Sequence, residues 1–144
     1  MYEFVLKAHS GWAYVALIIL VIAVINSYIG LSAKNPFTPK DRRISMFALL
    51  SVHIQFVLGL ALYFTSPNGL QKIQAVGMGG MQPIDRLLAL EHPLVNLIAI
   101  ILITVGWSMH KRRADERKFK TIAIFYTLGL ALLLSRIPWS LWFA

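Results

Sequence analysis

The chain has 144 residues, of which 58% are hydrophobic and only 14% charged; it has no cysteine and a formal net charge of +8. A soluble domain carries about 25% charged residues, so the composition excludes a soluble enzyme, a disordered tail and a disulfide-stapled secreted domain. The length allows one domain, and the positive charge is either a nucleic-acid footprint or a membrane orientation signal.

Residues 9–32 (HSGWAYVALIILVIAVINSYIGLS) form the first apolar run, close to the roughly 20 residues that carry a helix across a bilayer core. A cleavable signal peptide would need a cationic start and a small-residue cleavage site. Here Glu3 offsets Lys7, and the basic residues follow the run, so it is read as a retained span. Pro36 and Pro39 close it. The second run is 44–66 (ISMFALLSVHIQFVLGLALYFTS), ended by Ser66-Pro67-Asn68-Gly69. The loop that follows holds GMGG without the strand-to-helix setting of a phosphate loop. Met78 and Met81 are soft enough for Cu(I), but they read more simply as loop filler. The third and fourth runs are 87–110 and 121–143. None alternates with period two, which excludes strands.

The basic residues decide the charge question. Lys34, Lys40, Arg42 and Arg43 fill the first loop, and Lys111, Arg112, Arg113, Arg117, Lys118 and Lys120 fill the third; only Lys7, Lys72, Arg86 and Arg136 lie elsewhere. The positive-inside rule places both basic loops in the cytoplasm. The expected fold is therefore all-α: an antiparallel four-helix transmembrane bundle, residues 1–144, in the bacterial inner membrane, with both termini on the non-cytoplasmic side. The charge orients the chain, so no nucleic-acid partner is implied. The lipid bilayer is the first partner, with other membrane subunits or a second copy beside it. Trp107 near the inner side, and Trp12, Trp139 and Trp142 near the outer, suit interfacial belts.

Ionisable groups inside spans are costly and point to function. They are His9, His53, Glu91, His92 and Arg136, with His110 at a boundary. Counted from the cytoplasmic ends at about 1.5 Å per residue, His9 and Arg136 lie about 24 Å up, His92 about 26 Å and His53 only about 15 Å. Two histidines at one level on different helices are what bis-histidine haem ligation requires. Ala13 and Ala16 lie on the face of His9, Asn96 and Ala99 on that of His92. Gly59 removes bulk at the same level. The candidate ligands are thus His9 and His92, with Arg136 neutralising one propionate and Lys7 or Arg86 the other. His53 is a third ligand position, a proton-relay group or a packing residue. Glu91 pairs with Arg136 or leaves it free for a propionate.

Two other readings stand beside a single haem b. In one, the chain is a cofactor-free accessory subunit whose histidines and Glu91–Arg136 pair act as internal polar glue. In the other, His9, His53, His92 and Glu91 hold a transition metal. No Ser-His-Asp set or HExxH motif marks a stand-alone enzyme.

HSGWAY in the first span, the His53 segment ending at Gly59, EHP opening the third span and RIPW closing the fourth make the whole chain resemble small four-helix membrane proteins of Bacteroidetes labelled cytochrome b-like. The resemblance implies haem or electron-transfer work in the inner membrane. It points to His9, His53 and His92 as the shared histidines, with Glu91 and Arg136 as companions. The four matched histidines of a dihaem bundle are not present, so one haem is the expectation.

Overall fold

A computed structural model of the chain describes residues 1–143. Four long helices dominate it: α1 (Tyr2–Ser32), α2 (Pro39–Thr65), α5 (His92–His110) and α6 (Asp115–Ser135). Short helices α3 (Leu70–Val76), α4 (Pro83–Arg86) and α7 (Trp139–Trp142) decorate one end. Each long helix, with α5 extended upstream through α4, is long and apolar enough to cross a membrane, which makes this a multi-pass membrane architecture by length and composition.

Local chemistry explains most of the boundaries. Thr38 and Asp41 form a reciprocal capping box at the start of α2, with the Thr38 N–H donating to Asp41 Oδ2 at 2.8 Å. Asn26 of α1 donates to the other carboxylate oxygen at 3.0 Å and so ties the two helices at their loop. The fourth helix stops at Ser135, well short of the apolar run's end at 143. Pro138 has no N–H to donate, and it drives Ile137 away from helical geometry. Arg136 therefore lies just past the end of α6, not inside it. In the opposite sense, α1 begins at Tyr2, so His9 sits two turns inside a helix. The loop read as filler contains α3 and a 3₁₀ turn at Met78–Gly80, and Met81 is buried at its base.

Ahead of α5 the chain takes a π turn, Leu87–Glu91, in which the His92 N–H reaches back to the Leu87 carbonyl. Pro93 supplies no donor to this stretch, and a wider turn is the usual relief for a helix so interrupted. The π turn presents Glu91 and His92 at the point where α5 starts.

The core is a column of small and aliphatic side chains at three- and four-residue steps: Ala16, Leu20 and Ala23 of α1, Ala48 and Val52 of α2, Ile100 and Ile103 of α5, and Ile122 and Tyr126 of α6. A Cβ at Gly129 would overlap Ile103, and one at Gly106 would overlap Phe125, so these glycines set how closely α5 and α6 approach. Helix α1 packs on α2 and α6, and α5 packs on α6 and α2. Helices α1 and α5 thus stand at opposite corners of the bundle. Polar ties bridge neighbours: Trp12 Nε1 donates to the Ser51 carbonyl at 2.9 Å, and the buried Tyr126 hydroxyl to the Ser45 carbonyl at 2.8 Å. Outward faces are apolar, with Ile18, Ile25, Val57, Leu94 and Ile101 among the exposed side chains. Such a surface suits lipid, not water.

Candidate functional site

His9 and His92 meet across the bundle at one end of the core. Their ring centroids are 6.1 Å apart and the planes cross at 82°. Because α1 and α5 are diagonal partners, the two imidazoles face each other through the middle of the bundle instead of sharing a seam.

Each imidazole has an amide beside it. Asn96, one turn along α5, places Nδ2 at 3.1 Å from His92 Nε2. Gln55 of α2 donates from Nε2 to the His9 main-chain carbonyl at 3.0 Å and lies 3.2 Å from His9 Nδ1. The ring of His92 is fixed from the other side as well. Its Nδ1 is 2.7 Å from the carbonyl of Arg136, and a carbonyl only accepts, so the proton is on Nδ1 and Nε2 carries the lone pair that faces the Asn96 amide. A backbone carbonyl holding one ring nitrogen while the other offers its lone pair is the arrangement found behind metal-bound histidines.

Two buried oxygens at this site have no hydrogen-bond partner: Gln55 Oε1 and Asn96 Oδ1. Buried amide oxygens without donors cost free energy, and such exceptions are rare enough to need an explanation. Both flank the histidine pair. Gly59 adds space, since a Cβ there would stand 3.2 Å from His9 Cε1 and 3.6 Å from His9 Nδ1.

The charged companions form a separate layer at the mouth. Glu91 bridges two cations, with Oε2 at 3.4 Å from Arg136 Nε and Oε1 at 3.6 Å from Arg86 Nε. Both arginines proposed as propionate partners are thus held by one carboxylate, while Lys7 is exposed. These side chains are 40–52% exposed, so the pairs contribute little in water.

His53 belongs elsewhere. Its Nδ1–H donates to the Leu49 carbonyl at 2.7 Å, and its Nε2 lies 3.3 Å from the Thr104 hydroxyl. Thr104 is twelve residues beyond His92 on the same helix, which is about 18 Å along the axis. His110 donates from Nδ1 to the Trp107 carbonyl at the far end. Among the described residues, no three of His, Cys, Asp and Glu gather as a metal-binding group. A cavity of 240 Å³ lies at that far end too, between Asn26, Gly30, Asp41 and Phe119.

Gln55 is the residue that sequence reasoning passed over. The available signal was an uncharged amide inside an apolar span, which in lipid has to find a partner on another helix. Asn96 was visible at one turn from His92, although its unpartnered oxygen was not.

Two facing imidazoles are the donor set of a bis-histidine metal site. A metal–imidazole bond is about 2.0–2.1 Å, which places two imidazole centroids on one ion roughly 6 Å apart. The His9–His92 separation is of that size. The glycine beside His9 and the carbonyl behind His92 are the further features such a site needs. No family model, characterised protein or solved structure matches the chain.

Proposed function

We propose that this chain is a b-type haem protein that relays electrons in the bacterial inner membrane, as a small subunit or partner of a redox complex. The observation that carries this reading is the meeting of His9 and His92 from diagonal helices at 6.1 Å. A haem held there would supply one-electron chemistry. His92 would bind through Nε2 while its Nδ1–H stays on the Arg136 carbonyl. His9 would be the second ligand, and Gly59 leaves room beside its ring. Gln55 brings its amide to the ring of His9, with Nε2 3.2 Å from Nδ1 and Oε1 left without a partner.

The same reading takes the bundle as antiparallel, with both termini on the non-cytoplasmic side. Contacts such as Trp12–Ser51 with Asn26–Asp41 on α1 and α2 support the alternation. The crowding of basic residues into the loops after α1 and α5 supports the orientation.

The deciding experiment is the visible spectrum of the protein purified from its native membrane. A dithionite-reduced sample is expected to show a b-type α band, which His92→Ala abolishes. A featureless reduced spectrum overturns the reading.

One observation favours a second function, that of a cofactor-free accessory subunit. Glu91 pairs with both Arg86 and Arg136, and the rings of His9 and His92 lie edge to face. On that reading the histidines are polar glue, and the spectrum is blank while His92→Ala destabilises association with larger partners. A transition metal on His9 and His92 would instead appear in elemental analysis of the purified protein.

A further inference from the structure

At the opposite end of the bundle, two cations converge on one indole. Arg42 Cζ lies 5.8 Å and Lys111 Nζ 5.7 Å from the centroid of the Trp107 ring. Arg42 comes from the first turn of α2 and Lys111 from the residue after α5, so the pair straddles the seam between these helices. Trp107 is only 8% exposed, and its ring stands 4.6 Å from that of the buried His110. Phe37 continues the aromatic platform, 5.5 Å from His110 and 5.0 Å from Phe119, and carries Lys118 Nζ at 5.8 Å.

The acids at this end do not balance these charges. Asp41 is held by Thr38 and Asn26, Asp115 pairs with Lys118 at 3.2 Å, and Glu116 is exposed on the first turn of α6 with no ion pair to Arg42 or Lys111. Among the described residues, no carboxylate lies within salt-bridge distance of Arg42 or Lys111. Two like charges gathered on a nearly buried ring repel each other unless an anion joins them. Location selects the anion. The site is at the end of an apolar span, where a bilayer would place its headgroups and lipid phosphate is the concentrated anion.

We infer that Arg42, Lys111 and Trp107 form a binding site for the phosphate of an anionic phospholipid, at the seam of α2 and α5 in the leaflet facing the basic loops. Arginine offers a planar fork of donors to phosphate and lysine a mobile point charge. The indole holds both by cation–π attraction while no lipid is bound.

Native mass spectrometry of the detergent-solubilised chain tests this, with phosphatidylglycerol and phosphatidylcholine titrated separately. Phosphatidylglycerol is expected to bind more tightly. Lys111→Gln should weaken it about fivefold, and Arg42→Gln with Lys111→Gln about 25-fold, following the worth of one cation near an anionic surface. The control is Lys34→Gln with Lys120→Gln, which removes two charges from the same end and should change affinity less than twofold. Lys111 is exposed beyond the helix, so its single variant keeps the fold and the test intact. Equal losses in the control and double variant overturn the site, as does equal binding of the two lipids. Displacement of the lipid by millimolar inorganic phosphate overturns its assignment to lipid.

Discussion

The side chain of His92, at the start of α5, donates its Nδ1–H to the main-chain carbonyl of Arg136, just beyond the end of α6, at 2.7 Å. That carbonyl is free because the chain turns out of the helix at Ile137-Pro138, which leaves it without the amide four residues on. The sequence break that ends one helix thus creates the acceptor that orients a side chain on its neighbour. His92→Phe preserves the ring's bulk and removes the donor. It should lower stability by about 1–2 kcal/mol, read as a fall in melting temperature in mild detergent. An unchanged melting temperature would mean the tie is incidental.

Gln55 is expected to matter more to the loaded protein than to the empty one. Outer-shell partners of metal-bound histidines typically contribute 10–100-fold to affinity. Gln55→Leu should weaken haem retention by about that factor and shift the midpoint potential, because the ring of His9 loses its amide neighbour. Gln55→Glu keeps a polar group of the same length beside the ring and should recover part of the retention. Titration of apoprotein with haem, followed by redox potentiometry, measures both.

Gly59 sets a size limit beside His9. With a Cβ 3.2 Å from His9 Cε1, alanine needs the ring to move by only a few tenths of an ångström and should be tolerated. Gly59→Leu overpacks the level and should cost about 1–3 kcal/mol. The pair of variants compared by thermal melting and by reduced α-band intensity tests the ranking. Equal behaviour would show that the ring has room to spare.

The Glu91 bridges look prominent but are half exposed. Glu91→Gln keeps the shape, removes both ion pairs, and is expected to change stability by less than about 1 kcal/mol. A larger drop in melting temperature would favour the accessory-subunit reading, in which this cluster holds the bundle shut.

Orientation has its own test. Single cysteines at Lys34 and Arg113 should resist a membrane-impermeant thiol reagent in intact cells and react after the cells are opened. A cysteine at Gly79 should react at once. The chain has no native cysteine to confuse the result. Labelling of Arg113→Cys from outside would reverse the assignment of sides.

The four long helices were legible because apolar run length is a direct constraint of the bilayer, and the level shared by His9 and His92 because a regular helix converts residue counts into height. The pairing of Glu91 was not, since reaching Arg136 or releasing it depends on side-chain geometry at the mouth. His53 shows the limit of counting in a different way. Its height already set it apart from His92, but its partner, Thr104, is a hydroxyl that no charge or spacing singles out. Arg136 was placed inside a span because hydropathy runs on through Pro138, whereas backbone chemistry stops the helix at Ser135.

The π turn at Leu87–Glu91 has a mechanical meaning for this architecture. It holds one residue more than an α-helical turn needs, so everything upstream is rotated by about 100° relative to the face that carries His92. The extra residue works as a phase adjuster between two parts of one rod. The outer connection can keep Arg86 aimed at Glu91, while the inner segment keeps His92, Asn96 and Ala99 aimed at the bundle axis. The offset is built into one continuous rod, so deleting a single residue from Leu87–Glu91 would turn Arg86 away from Glu91 by about 100° while leaving the His92 face in place.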